Sequence, residues 1–211
     1  MIAIFLKSLI IGYSGAVMPG PMFTYTVDKS LHHGAKSGLL VSAGHVFLEL
    51  ILVILIYLGA GKYLTTDTAK TIIGLLGGII LVYLGFGMMK EVYLNQISLD
   101  PKSSKDEKQG SMLLAGIVLS ASNPYFIIWW SVVGLALIMN AYASFGIMGV
   151  LAFYIGHIIS DISWFSFVSV LVSRTRSLIN LKVYKVIIVA LAACLIFFGV
   201  SFFAASLRYI L

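Results

Sequence analysis

The sequence predicts an all-α fold: an integral membrane bundle of six transmembrane helices, a 3+3 inverted repeat with a broken first helix in each half. Three observations predict it. Of 211 residues, 60% are hydrophobic and only 10% are charged, whereas a soluble domain carries about 25% charged residues. Six apolar stretches approach the roughly 20 residues a helix needs to cross a bilayer core. The features of the first three stretches recur, in order, in the last three.

The first stretch, Ile2–Tyr25, is interrupted by "MPGP" at 18–21. A proline inside a helix removes a hydrogen bond and clashes with the preceding turn. Pro19 and Pro21 flank Gly20, so regular helix is not expected there, and backbone amides are freed at membrane depth. The opening "MIAIFLKSLIIG" resembles a secretory leader in composition. No small-residue cleavage site ends it, so it is expected to remain in the chain. The second stretch, Gly38–Ala60, carries Gly-His-x-x-x-acid, with His45 and Glu49. The third, Ile72–Met89, has neither acid nor histidine.

A polar segment, 95–110, then divides one domain (1–211) into halves of about 1–94 and 111–211. Its lysines and acids balance, as in a solvated linker. The fourth stretch, Met112–Met139, is broken at "SNPYF", where Pro124 follows the amide side chain of Asn123. The fifth, Ile147–Val172, repeats the motif with His157 and Asp161, and the sixth, Val186–Leu207, again has neither acid nor histidine. The register is imperfect. Pro21 to Pro124 spans 103 positions and His45 to His157 spans 112, so a nine-residue gap falls between the motifs. Three spans per half would invert the second half relative to the first. Inverted repeats with interrupted helices are a transporter signature.

Residues four apart on a helix differ by about 40° in azimuth, so each histidine shares a face with its acid. An acid at a helix centre costs on the order of 2.5–3.5 kcal/mol on insertion. Such groups face a bundle interior or a watery cavity. One pair could merely tie helices together; two pairs in matching spans point to function. An imidazole beside a carboxylate can carry protons. The acids can equally hold a substrate ammonium, and the four groups together suit a metal cation. The breaks offer helix N-termini suited to a substrate carboxylate.

Other features are assigned to packing. Gly-x-x-x-Gly recurs in "GAKSG" (34–38) and "GLLGG" (74–78), a close-packing pattern. Trp129, Trp130 and Trp164 read as packing or interfacial residues. Asp28 is expected to cap the turn after the first span or sit at its mouth, with His32 and His33 in the following loop. Cys194, the lone cysteine, is expected to fill apolar space, and dithiol chemistry is excluded. No phosphate-binding Gly-x-x-x-x-Gly-Lys loop is present. An enzyme is not expected: four histidines are too few for a membrane di-iron site, and no Gly-x-Gly-Asp is found.

The net charge of +6 does not form a basic, aromatic-lined surface, so no nucleic acid is expected. The basic residues follow topology instead. The first, third and fifth loops hold ten Lys and Arg against four on the other side. That places these loops in the cytoplasm and both termini outside.

With "PGP" in the first span, Gly-His in the second, "NPYFIIWW" in the fourth and "GHxxxDxxW" in the fifth, the whole chain resembles the LysE family of amino-acid exporters. Homoserine and threonine exporters belong to the same wider group. The resemblance implies a secondary exporter of amino acids in a prokaryotic plasma or inner membrane, driven by the proton gradient or the membrane potential. The matching positions are Pro19, Gly20, Pro21, Asn123, Pro124 and Asp161. The substrate carboxylate would meet the amides near Gly20 and Asn123, and its ammonium Glu49 or Asp161. His45 and His157 would carry protons or donate hydrogen bonds. The expected partners are an amino acid, protons and the lipid bilayer; no cofactor or resident metal is expected, and a homo-oligomer is left open. The alternative is a divalent-cation exporter with both histidines and both acids as ligands.

Overall fold

The computed structural model describes residues 1–18, 20–59, 63, 66–94, 109–178 and 180–208. The described elements are helical throughout. Helix α1 (Ile2–Ala16) is followed by α2 (Pro21–His33), and the two are bent by 77°. Next come α3 (Lys36–Tyr57) and α4 (Asp67–Tyr93). In the second half, α5 (Gln109–Ala121) precedes α6 (Pro124–Trp129), a π-helical turn (Trp130–Gly134) and α7 (Leu135–Thr175). A short 3₁₀ turn (Arg176–Leu178) and α8 (Leu181–Leu207) follow. By length and composition, four described helices can cross a membrane, or up to five if each bent pair is one span.

Local chemistry sets the helix ends. Pro21 opens α2, where its fixed φ suits the first turn and its missing N–H costs nothing. Thr66 and Asn180 cap α4 and α8 through their side-chain oxygens. Gly34 (φ 88°) ends α2, and Gly146 (φ 58°) interrupts α7. Only glycine enters such left-handed backbone without strain. At Gly146 the chain folds back, so that Gly149 packs against the carbonyl of Ala141. Helix α7 is therefore a hairpin with arms 135–144 and 147–175.

Glycines bring the helices together. Gly44 of α3 lies against the backbone of Leu113, and Gly116 of α5 against that of Val41. Gly156 on the second arm of α7 lies against the carbonyl of Phe5, and Ser8 Oγ donates to the Phe153 carbonyl at 2.6 Å. Helices α4 and α8 are antiparallel, with Gly74 on Ser206 and Gly78 on Gly199. Gly-x-x-x-Gly thus packs helices at 74–78 as expected. In the 34–38 pattern Gly38 lies against Phe165, while Gly34 serves the turn.

Large apolar side chains such as Phe47, Leu76, Tyr83, Phe197 and Val200 are exposed on the outer faces. A lipid surround accounts for them, since helices satisfy their own backbone and present apolar side chains to hydrocarbon. Cys194 is also exposed on α8, where its place on an apolar outer face suits a small hydrophobe. His32 and His33 are not in a loop but in the last turn of α2, because the helix runs on to Gly34.

Candidate functional site

Helix α3 and the second arm of α7 run antiparallel and present their Gly-His-x-x-x-acid faces to each other. Gly38 lies against Phe165, its N–H accepted by Ser169 Oγ at 3.0 Å, and Tyr154 donates to the Val46 carbonyl at 2.9 Å. Between these contacts His45, Glu49, His157 and Asp161 form one buried cluster. Glu49 Oε1 is 3.1 Å from His45 Nε2 and 3.0 Å from His157 Nε2. Asp161 Oδ2 is 3.5 Å from His157 Nε2, and Oδ1 is 4.0 Å from His45 Nε2. Asp161 is therefore in ion-pair range of both rings without a hydrogen bond to either.

The tautomer of His45 follows from its other nitrogen. Nδ1 is 2.6 Å from Ser120 Oγ, and the Ser120 hydroxyl also reaches the Gly116 carbonyl at 2.7 Å; when it donates there, only the ring can donate to Oγ. Nδ1 is then the donor. A proton is consequently needed between Nε2 and Glu49 Oε1, either on the ring or on the acid. Glu49 Oε2, Asp161 Oδ2 and His157 Nδ1 have no hydrogen-bond partner among the described residues. Buried polar groups are normally satisfied, and unpaired ones call for an explanation.

The cluster forms one wall of a cavity of about 150 Å³. Gly20, Pro21 and Asn123 from the two breaks line it too. The breaks differ in detail. Asn123 caps its own helix, its Oδ1 accepting from Tyr125 N at 3.1 Å. Gly20 has no side chain to do the same for α2. Of the nine residues singled out by sequence, seven line the cavity: Gly20, Pro21, His45, Glu49, Asn123, His157 and Asp161. Pro124 opens α6 at the second break, and Pro19 lies outside the described residues, as do 95–108 of the expected linker.

Sequence reasoning missed two contributors. Ser120 fixes His45, and nothing distinguishes it from other serines until α5 and α3 are paired. Trp129 was read as packing but stacks on His157, with ring centroids 4.9 Å apart and planes at 28°. Trp130 meets the same imidazole edge-on at 5.1 Å. The π turn sets these rings, and a side chain at Gly134 would strike the Trp130 indole. Such π turns frequently mark functional sites. Trp164 is not in the cavity wall. Asp28 is buried inside α2, 3.3 Å from His32 Nδ1 and 3.6 Å from Lys29 Nζ, and neither caps a helix nor lines the cavity.

One ligand atom from each of His45, Glu49 and Asp161 lies within 4.8 Å of the others, so these three could also gather around a cation. The set is looser than a zinc site, where bonds of about 2.1 Å hold the ligands closer together.

Several helices long and apolar enough to cross a membrane, around a cavity that a buried ionisable cluster lines, define a multi-pass integral membrane protein. The LysE type translocator family model matches residues 13–206, and the chain belongs to that family. It is 23% identical over 209 residues to the putative amino acid efflux protein YcgF of Bacillus subtilis (strain 168), covering 99% of each chain. It is 25% identical over 164 residues to the chemotactic transduction protein ChpE of Pseudomonas aeruginosa, covering 78% of this chain and 79% of that one. A leucine efflux protein of Enterobacter sp. (strain 638) is 27% identical over 115 residues, 54% of each chain. No solved structure gives a significant match.

Proposed function

We propose that the chain is a secondary exporter of amino acids that couples export to proton movement by alternating access. One observation carries the reading: the ionisable cluster is completed only across the two halves, at the Glu49–His157 contact, and shares its cavity with both helix breaks. Ionisable groups inside a membrane mark substrate or proton pathways, and helix ends at that depth receive ionic substrate groups. The proton needed between His45 and Glu49 is a ready coupling ion. The relatives named for amino acid and leucine efflux support the same substrate class.

The architecture behind this reading is six spans in two inverted halves. The first span is α1 with α2, and the fourth is α5, α6, the π turn and the first arm of α7. Gly34 and Gly146, 112 positions apart, share a left-handed backbone at equivalent turns. That equals the His45-to-His157 spacing, so the nine-residue gap falls in the limb between each proline break and its glycine turn. Exchanging the halves maps the α1–α7 contact onto the α5–α3 contact, and the α4–α8 contact onto itself. The Lys and Arg distribution supports cytoplasmic odd loops with both termini outside, in a prokaryotic plasma membrane.

Glu49 Oε1 is already engaged by both imidazoles, which fits proton transfer better than cation transport. The test is transport by the purified chain in proteoliposomes. Efflux of an amino acid that accelerates under an imposed proton gradient supports the proposal. Gradient-independent amino-acid flux removes the coupling, and cation flux without amino-acid flux replaces the substrate class.

A further inference from the structure

We infer that the site takes a neutral amino acid with an apolar side chain, its carboxylate held by the first turn of α2 and its ammonium by Asp161. The inference rests on the export reading above and narrows it. Its starting point is the difference between the two breaks. At α6 the helix end is already supplied with an oxygen, Asn123 Oδ1 on Tyr125 N. At α2 no side chain caps the first turn, and Gly20, Pro21, Met22 and Phe23 all line the cavity. Among the described residues, a Cβ added at Gly20 would meet the Met18 carbonyl, at 3.9 Å. A helix N-terminus carries unsatisfied amides and positive partial charge, and it receives carboxylates.

A bare helix end is common in itself. Here the same cavity also holds two buried acids, each with one oxygen that makes no hydrogen bond among the described residues, Glu49 Oε2 and Asp161 Oδ2. They are not equivalent. Glu49 is committed through Oε1 to both imidazoles at 3.0 and 3.1 Å, while Asp161 reaches them only at 3.5 and 4.0 Å. Asp161 is thus the acid with capacity left for an incoming ammonium. One open amide end and one open acid recognise a zwitterion.

The remainder of the wall selects the side chain. Leu119, Phe126, Trp129, Phe165 and Phe198 line it, and neither a lysine, an arginine nor a third acid is among its described lining residues. A second positive charge on the substrate would find only Glu49, whose Oε1 already serves both imidazoles, and a second negative charge would find no lysine or arginine among the described lining residues, which disfavours basic and acidic amino acids. A cavity of about 150 Å³ is known to hold a ligand the size of benzene. That scale suits a branched aliphatic side chain in this cavity of about 150 Å³.

The experiment measures binding to the purified full-length chain by ligand-induced thermal shift, with titrations to obtain affinities. The panel is leucine, isoleucine, valine, methionine, lysine, arginine, glutamate, 3-methylbutylamine (leucine without its carboxylate) and 4-methylpentanoate (leucine without its ammonium). At least one apolar amino acid should bind more than about tenfold tighter than lysine, arginine, glutamate and both leucine analogues. Gly20→Asp places a carboxylate where the substrate's would sit, in a backbone conformation open to any residue (φ −155°). It should leave the melting temperature equal or higher, as a helix cap does, and lower apolar amino-acid affinity at least about tenfold. Asp161→Asn should weaken leucine but not 4-methylpentanoate, which has no ammonium. Lysine or glutamate binding as well as leucine, analogues binding equally well, or undiminished binding in folded Gly20→Asp overturns the inference and leaves amino-acid export standing. No response to any amino acid, with export also absent, overturns both.

Discussion

His157 Nε2 lies 3.0 Å from Glu49 Oε1, an acid 108 positions earlier in the chain, and that oxygen also faces His45 Nε2 at 3.1 Å. A single carboxylate oxygen therefore joins two imidazoles from different helices. Glu49→Gln keeps the size of the group and removes its charge and its capacity to take a proton. Gradient-driven export is expected to fall by more than about tenfold, a transition-state loss above about 1.4 kcal/mol. Exchange of labelled for unlabelled substrate at equal pH should be better preserved, because it requires no net proton movement. Equal loss of both in a folded variant would make Glu49 a substrate ligand rather than a coupling group.

The two histidines hold different partners, and their variants should differ accordingly. His45 is tied to Ser120, whereas His157 Nδ1 has no hydrogen-bond partner among the described residues and its ring is stacked on Trp129. His45→Gln and His157→Gln are each expected to move the pH dependence of the export rate more than they reduce equilibrium binding. Initial rates across pH, measured beside affinities, check this. An unchanged profile in both variants would leave the rings as packing groups.

Removing the first break should cost function without costing insertion. With Pro19 and Pro21 both changed to Ala, α1 can propagate toward α2, since the bar to an interior helix is gone. Export should be lost while membrane yield stays near wild type. Normal export in proteoliposomes would mean the prolines shape the helix without making the site.

The breaks and the two histidine–acid motifs were legible in the sequence because proline acts locally and helical spacing fixes which residues share a face. What stands opposite a face is not local. Sequence pairs His45 with Glu49 and His157 with Asp161, each within its own helix. The tightest contact of His157 instead crosses to Glu49, a result of packing α3 antiparallel to α7. Asn123 looked equivalent to Gly20 as an anion site, yet its side chain turns back on its own helix. Trp129 could not be separated from ordinary packing tryptophans, because the π turn that places it has no plain sequence signal.

Topology gives an independent check. A reporter inserted within 95–108 should read cytoplasmic and one at the C-terminus external, as the excess of Lys and Arg in the odd loops dictates. Opposite answers at both places would reverse the orientation. The same answer at both would break the six-span arrangement while leaving the helical bundle intact.

The last prediction concerns the glycine that precedes each site histidine. Gly44 abuts the Leu113 carbonyl and Gly156 the Phe5 carbonyl, so an added methyl at either would meet backbone rather than a side chain that can swing away. Backbone yields only by moving the helix. In Gly44→Ala, α3 must retreat from α5, and His45 loses its register with Ser120; in Gly156→Ala, the second arm of α7 must retreat from α1, carrying His157 with it. Each variant should lose about 1–3 kcal/mol, the usual cost of overpacking, together with most of its export. Gly87→Ala is the control: no atom lies within 4 Å of its added methyl, so the melting temperature should hold or rise with helix propensity. Thermal melts and transport assays on the three proteins separate the outcomes. Wild-type melting and transport in both Gly44→Ala and Gly156→Ala would show that the close contacts do not position the histidines.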